Sequence, residues 1–335
     1  MRLAINGYGR IGRCIVRALY ESKRNSEITI AAINEPADLA AIAHLTKFDS
    51  THGSFALDVH VEDDSLVIGN DAIAVTNVAD LSKLPWKDHD VDIVLECSGS
   101  YTKKDTAKLH LKSGAKKVIF SCPAQPDVDA TVVYGLNHHL LRQDHRIISN
   151  ASCTSNCIAH VIDILNRSFG VESGMITTVH SMMNDQPVID AYHNPDLRKN
   201  RSSAHSIIPV ETGLAKGIDR IFPDLAGRFK ATALRVPVLN VSCMQLTAAL
   251  NRKTDRTEIN ELFRHTAETD LKGILGYTEL PLVSSDFNHS PFSAIVDGGQ
   301  TELCGTSLVN ITTWFDNEWG YANRMLDTAW ALFNA

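Results

Sequence analysis

The stretch Ser149-Asn150-Ala151-Ser152-Cys153-Thr154-Ser155-Asn156-Cys157 puts a thiol where a strand should hand over to a helix. The unpaired amides and positive dipole end of a helix start favour a thiolate, so Cys153 is the candidate nucleophile. Cys157, one turn further in, lacks that benefit and reads as a packed small residue. A lone cysteine is more often a buried structural thiol. The hydroxyls and amides flanking Cys153 weigh against that reading. His180 closes the apolar run Ile176-Thr177-Thr178-Val179-His180. A histidine at a strand end is more often structural than catalytic, and spacing alone does not bring it to Cys153.

A second chemistry-bearing stretch is Gly7-Tyr8-Gly9-Arg10-Ile11-Gly12, a G-x-G-x-x-G. Alone the pattern is weak. Here a strand precedes it, a helix follows it, and an acidic residue, Glu35, ends the next strand. Gly7 permits the tight turn, Gly9 lets a pyrophosphate approach the backbone, and Gly12 lets helix and strand pack closely. The helix amides then face the pyrophosphate. A carboxylate at Glu35 accepts bonds from a free ribose and repels a 2′-phosphate, which favours NAD over NADP. Glycines that merely turn the chain are the plainer reading, and the full strand–turn–helix–strand context argues against it.

The elements that must position these residues alternate through the first part of the chain. Strands are expected at Leu3–Asn6, Ile28–Asn34, Ser65–Ile68, Ile73–Thr76, Ile93–Glu96, Lys117–Ser121, Thr131–Tyr134 and Arg146–Ser149. Helices are expected at Arg10–Ser22, Asp38–Lys47 and Lys103–Ser113. Continuous Val/Ile/Leu runs fit strands covered on both faces, and the rhythm predicts an α/β fold with a doubly wound parallel sheet. After residue 150 the pattern changes. A helix from Thr154 to Arg167 precedes longer strands at Gly174–His180, Thr232–Pro237, Ser242–Leu250, Ser293–Asp297 and Leu308–Phe315, expected to form a mostly antiparallel sheet. Helices are expected at Thr212–Ile221, Thr257–Thr269 and Tyr321–Phe333. Met182 to Ser206 reads as a long irregular loop, a kind of segment often functional. The expected organisation is a dinucleotide-binding domain over 1–149, completed by 316–335, and an α+β catalytic domain over 150–315.

Composition excludes several classes. The 335 residues carry a net charge of −7 and 44% apolar residues, ordinary for a soluble globular protein. No Lys/Arg-rich run suits a nucleic-acid backbone. The longest basic cluster, Arg198-Lys199-Asn200-Arg201, is a solvated loop or meets a small anion. No apolar run approaches a membrane span, no secretory signal is visible, and seven cysteines without a Cys-x-x-Cys read as reduced thiols. A cytoplasmic location is therefore expected. His138, His139 and His145 lack ligand spacing, and no metal site is expected.

The whole chain resembles the glyceraldehyde-3-phosphate dehydrogenase superfamily. The likeness rests on Ala4-Ile5-Asn6-Gly7-Tyr8-Gly9-Arg10-Ile11-Gly12-Arg13, Ser149 to Cys157, Thr177-Thr178-Val179-His180, Arg235-Val236-Pro237 and Asp316-Asn317-Glu318-Trp319-Gly320-Tyr321. It implies an NAD-dependent aldehyde dehydrogenase with Cys153 as nucleophile and His180 as its activator. Ser152 and Thr154 would flank the nucleophile. Thr212, Gly213 and Arg235 would bind substrate phosphate, with Arg198 or Lys199 also reaching the substrate. Arg10 and Ile11 would lie under the pyrophosphate, Ser121 would join the cofactor residues, and Asn317 would hold the nicotinamide carboxamide. Ala79 stands where relatives often carry an arginine near the adenine. A homotetramer acting on a small sugar phosphate is implied.

The segment His180 to His193, with Pro195-Asp196-Leu197-Arg198 and Ser206 to Val210, resembles a branch that oxidises a four-carbon sugar phosphate and releases the acyl group to water. Phosphate-using members carry two threonines after the histidine, where this chain has Met183 and Asp185. Methionine offers no donor, and an aspartate is expected to repel phosphate. Phosphorylating aldehyde oxidation is the competing reading. A non-catalytic NAD-binding sensor is the reading from another class.

Overall fold

The computed structural model describes residues 1–192 and 194–335; His193, the end of one resemblance segment, lies outside the described residues. The chain divides into two compact units, Met1–Ser152 with Tyr321–Ala335, and Cys153–Gly320. The first break falls just ahead of Cys153 rather than after Ser149. The second follows Gly320 because Asp316 and Asn317 are hydrogen-bonded to the second unit's own Asn240, Ser181 and Ser242.

The first unit runs β1 (Arg2–Asn6), α1 (Arg10–Glu21), β2 (Thr29–Asn34), α2 (Leu39–Lys47), a small hairpin of β3 (Phe48–Asp49) and β4 (Gly53–Ser54), then β5 (Val59–Glu62), β6 (Ser65–Ile68) and β7 (Asp71–Thr76). It continues with β8 (Ile93–Glu96), α3 (Lys104–Lys112), β9 (Lys117–Phe120), β10 (Ala130–Thr131) and β11 (Ile147–Ser149). The sheet order is β10-β11-β9-β8-β1-β2-β7-β6-β5, parallel except where β6 meets β7 and β5. The central strands are buried: Leu3, Ile5, Ile33, Val94, Ile119 and Phe120 are all closed to solvent. The strand expected at Thr131–Tyr134 is shorter because the Val133 N–H goes to the Asn137 side chain instead of a ladder. β5, not among the expected strands, is a short edge strand, Val59-His60-Val61-Glu62, that is mostly exposed.

The second unit runs α4 (Cys153–Phe169), β12 (Val171–His180), β13 (Ile208–Val210), α5 (Leu214–Ile221), β14 (Phe229–Arg235), β15 (Ser242–Leu250), α6 (Arg256–Glu268), β16 (Leu275–Thr278), β17 (Ala294–Asp297), β18 (Glu302–Cys304) and β19 (Leu308–Phe315). Its sheet, β13-β14-β12-β15-β19-β17-β16, is antiparallel except at β12/β14 and β16/β17. Alternate residues of β15 are buried (Ser242, Met244, Leu246, Ala248, Leu250), the period expected of a half-covered strand. α4 covers that face with Cys157, Ile158, Val161, Ile162 and Leu165. β14 ends at Arg235, short of the expected Pro237, which has no N–H to continue a ladder. The expected helix from Thr212 begins at Leu214, with Gly213 as its N-cap. α7 (Trp319–Phe333) belongs to the first unit from Tyr321 onward.

Candidate active site

In the first unit a cavity of about 400 Å³ opens at the carboxyl ends of β1, β2, β7 and β8. Gly7, Gly9, Glu35 and Ala79 line it, together with Asn6, Asn34, Asn77, Cys97, Ser98 and Tyr101, which the motif did not single out. Open parallel sheets bind ligands at this edge. The glycines divide their labour as the motif requires. A Cβ on Gly7 would lie 2.4 Å from Ser98 Cα, and Gly7 takes a φ of +88°. A Cβ on Gly12 would lie 2.6 Å from the Gly7 carbonyl, while one on Gly9 would meet nothing within 4 Å and would stand in open space. Gly9 caps α1 without a side-chain bond, leaving the helix amides for an anion.

Glu35 accepts from the Tyr8 N–H at 2.7 Å and the Ala37 N–H at 3.3 Å, so its carboxylate braces the glycine turn while facing the cavity. Lone pairs remain for ribose hydroxyls. These features fit a dinucleotide. Ala79 lines the same cavity, so this wall offers no guanidinium at that position. Arg10 is placed differently from expectation. Its guanidinium is held by both oxygens of Asp49, which also accepts from the Thr51 and His52 amides. Burial raises the Asp49 carboxyl, but Arg10 and those amides outweigh it and hold it far below the usual range. The Arg10 charge is therefore engaged by Asp49 within the unit. Neither Arg10 nor Ile11 lines the cavity. Ser121 sits just after β9, with its N–H on the Glu96 carbonyl at 3.0 Å and its side chain on the Cys97 thiol.

In the second unit Cys153 is the first residue of α4. Its Sγ lies 3.9 Å from His180 Nε2. β12 and β14 are parallel and in register, so His180 and Arg235 end side by side on one edge. Burial falls on Ile176, Thr178 and His180, which places the imidazole on the covered face. Its Nδ1 lies 2.7 Å from the Ser181 carbonyl. A carbonyl only accepts, so Nδ1 carries the proton and Nε2 of the neutral ring presents a lone pair to the thiol. Phe315 packs edge-on against the ring at 6.3 Å.

The electrostatics overturn one expectation. Burial pushes the Cys153 thiol up to about 11, against the pull of the Thr154 and Cys153 amides and of Arg235. The helix start does favour the thiolate, but desolvation is larger. Burial likewise pushes His180 down to about 4, partly offset by the Ser181 carbonyl and reinforced by Arg235. Each group alone rests neutral. Proton transfer from Sγ to Nε2 would create an ion pair whose members attract one another. Cys157 bonds Thr313 Oγ1 at 3.3 Å and is buried, as a packed thiol should be.

A second expectation is corrected at Asp185. Its Oδ1 accepts from Arg235 at 2.9 Å and its Oδ2 from Lys199 at 3.0 Å. Burial raises the Asp185 carboxyl, but the bonds and charges of Arg235 and Lys199 hold it below the usual range. The aspartate is thus a counter-ion that occupies two cations, not a bare repulsive charge. Arg235 also donates to Gln186 Oε1 at 3.0 Å. Between the two basic candidates, Lys199 joins this cluster, while Arg198 is exposed with no ion pair among the described residues. Met183 is 45% exposed and adds no donor. Thr212 and Gly213 sit at the start of α5, where Thr212 Oγ1 accepts from the Leu214 N–H at 3.2 Å. Asn317 Oδ1 accepts from the Ser181 and Ser242 hydroxyls at 3.0 and 2.9 Å, which leaves its Nδ2 oriented as a donor. Ser152, half-buried, ends the first unit next in the chain to Cys153, and Thr154 supplies the amide noted above.

Known families account for both halves. Residues 1–104 match the description "Glyceraldehyde 3-phosphate dehydrogenase, NAD binding domain". Residues 152–317 match "Glyceraldehyde 3-phosphate dehydrogenase, C-terminal domain". With a glycine-turn cavity in the region of the first match and a thiol–imidazole pair in the second, the chain belongs to the glyceraldehyde-3-phosphate dehydrogenase superfamily and is an NAD-dependent dehydrogenase.

Proposed function

We propose that this enzyme oxidises D-erythrose 4-phosphate to 4-phospho-D-erythronate through a thioester on Cys153 that water resolves. That reaction would be the entry step of pyridoxal 5′-phosphate biosynthesis. His180 Nε2 takes the thiol proton, and the Cys153 sulfur attacks the aldehyde carbon. The resulting oxyanion is met by the Cys153 amide and by the newly protonated Nε2. NAD, when bound, supplies the hydride acceptor that turns the thiohemiacetal into a thioester. Gly7, Gly9, Gly12, Glu35 and Ser121 would serve to hold it, with the Asn317 amide for the carboxamide. Once Nε2 has released that proton to solvent, His180 takes a proton from the attacking water and passes it to the departing sulfur, which regenerates the thiol. Arg235, Lys199, Thr212 and Gly213 would hold the substrate phosphate, with Ser152 and Thr154 beside the reacting carbon. A homotetramer in the cytoplasm is part of the same reading.

The observation carrying this proposal is Asp185 bridging Arg235 and Lys199 next to Met183. Cations shared with a carboxylate hold a free inorganic phosphate more weakly than a substrate phosphate that the thioester on Cys153 also tethers, and water needs no such site. The competing reading is phosphorolysis, favoured by the Thr212–Gly213 helix start, which remains a ready anion site. Turnover in ¹⁸O-water with added phosphate separates the two. A labelled free carboxylate with no acyl phosphate supports hydrolysis, and an acyl phosphate as the sole product overturns it.

A further inference from the structure

The carboxyl ends of four adjacent strands in the first unit finish on polar residues: Glu96 of β8, Asn6 of β1, Asn34 of β2 and Thr76 of β7. They are register partners, Glu96 with Asn6, Asn6 with Asn34, and Asn34 with Thr76. Their side chains join in one directional chain. Asn6 Nδ2 donates to Glu96 Oε2 at 2.7 Å, and Asn34 Nδ2 donates to Asn6 Oδ1 at 2.8 Å. Thr76 Oγ1 and the Val78 N–H then donate to Asn34 Oδ1 at 3.0 and 2.9 Å. Both ends fix the order. A carboxylate only accepts, so Asn6 must turn its amide nitrogen to Glu96. The Val78 N–H only donates, so Asn34 must turn its oxygen there.

The chain continues into the core. Trp86 Nε1 donates to His110 Nδ1 at 3.0 Å, which puts the proton of the neutral ring on Nε2, 3.0 Å from Glu96 Oε2. The other carboxylate oxygen accepts from the Ser98 N–H at 2.9 Å and the Ser98 hydroxyl at 2.5 Å. Glu96, His110 and Trp86 are at most 1% exposed, so the carboxylate is isolated from water and fully supplied with donors. Such a network holds its members in one geometry, because each lost partner strands a buried polar group.

We propose that this Glu96-centred crosspiece is a positioning device for the dinucleotide cavity. Asn6, Asn34, Val78 and Ser98 form its cavity-facing side. The turns that line the cavity hang from the same strand ends, with the Gly7 N–H on the Asn34 carbonyl at 2.9 Å and the Cys97 N–H on the Asn6 carbonyl at 2.7 Å. Ser98 is also the residue against which Gly7 packs too closely for a Cβ. Glu96 touches no part of the cavity itself and acts through Ser98 and Asn6.

Glu96→Gln tests this, since in either orientation the amide nitrogen faces donors: His110 Nε2 and Asn6 Nδ2 on one side, or the Ser98 N–H on the other. The readout is the NAD dissociation constant of folded protein by direct titration, with unfolding temperature and the rate of Cys153 alkylation by iodoacetamide without NAD. Whatever aldehyde the enzyme uses, the expected result is NAD binding weakened by about tenfold, the scale of one lost hydrogen bond to a charge, with the alkylation rate unchanged. Trp86→Phe, remote from the cavity, should weaken NAD binding by about threefold. A merely structural role lowers the unfolding temperature and leaves NAD affinity of the folded protein at the parent value, and that result overturns the proposal. If Glu96→Gln fails to fold, Trp86→Phe decides by the same criterion.

Discussion

Replacing Asp185 with asparagine should make inorganic phosphate matter to this enzyme. The substitution keeps an oxygen for Arg235 but removes the charge that pairs with both Arg235 and Lys199, at 2.9 and 3.0 Å. An anion settling on those cations lies roughly 5 Å from the carboxylate, where two unit charges repel by about 1–2 kcal/mol at dielectric constants of ~40–80. The Asp185 side chain is 38% exposed, so the lower half of that range applies after solvent screening. Phosphate affinity should therefore rise roughly five- to tenfold, since 1.4 kcal/mol is tenfold. NADH production measured against phosphate concentration reads this directly, with added chloride as the ionic-strength control. The reasoning is refuted if NADH production by folded Asp185→Asn protein responds to added phosphate no more than the parent's does.

Other substitutions probe the remaining parts of the account. His180→Asn should slow iodoacetamide alkylation of Cys153 at pH 7 by about a hundredfold, the low end for general-base catalysis. Because burial holds the thiol up near 11, the thiolate of the variant appears only as the pH climbs toward that value, and the two rates should converge there; a constant ratio from pH 7 to 11 contradicts the base role. Gly9→Ala, with nothing within 4 Å of the added methyl, should fold normally and lose NAD affinity. Gly12→Ala, 2.6 Å from the Gly7 carbonyl, should lower the unfolding temperature instead, and calorimetry with NAD titration distinguishes the two. Cys153→Ser should cut turnover by about a thousandfold or more while NAD still binds in a titration; substantial residual turnover would count against the covalent route.

The glycine turn and Cys153 were legible because each demands a particular residue type at a particular local geometry. Gly7 and Gly12 exclude a Cβ by backbone contact, and Cys153 opens a helix, both facts of short range. The neighbourhood of His180 was not legible. It depends on β12 and β14 running parallel from distant parts of the chain, which no periodicity announces. Charge pairing was hidden for the same reason. Asp185 looked like a repulsive group because Lys199 and Arg235 reach it from other segments, and Arg10 looked free for a pyrophosphate because Asp49 is remote in sequence. The upward shift of the thiol is hidden from the sequence because a helix start can be read there and burial at that point cannot. The polar strand ends Asn6, Asn34, Thr76 and Glu96 did carry a signal: each stops an apolar run with a hydrogen-bonding residue.

The central claim is the pairing of a four-carbon sugar phosphate with release to water. NADH formation from D-erythrose 4-phosphate and from D-glyceraldehyde 3-phosphate, each with and without inorganic phosphate, tests it most directly. The account predicts faster turnover of erythrose 4-phosphate at a rate that persists when phosphate is left out. Rapid, strictly phosphate-dependent oxidation of glyceraldehyde 3-phosphate, with erythrose 4-phosphate poor under both conditions, would contradict it.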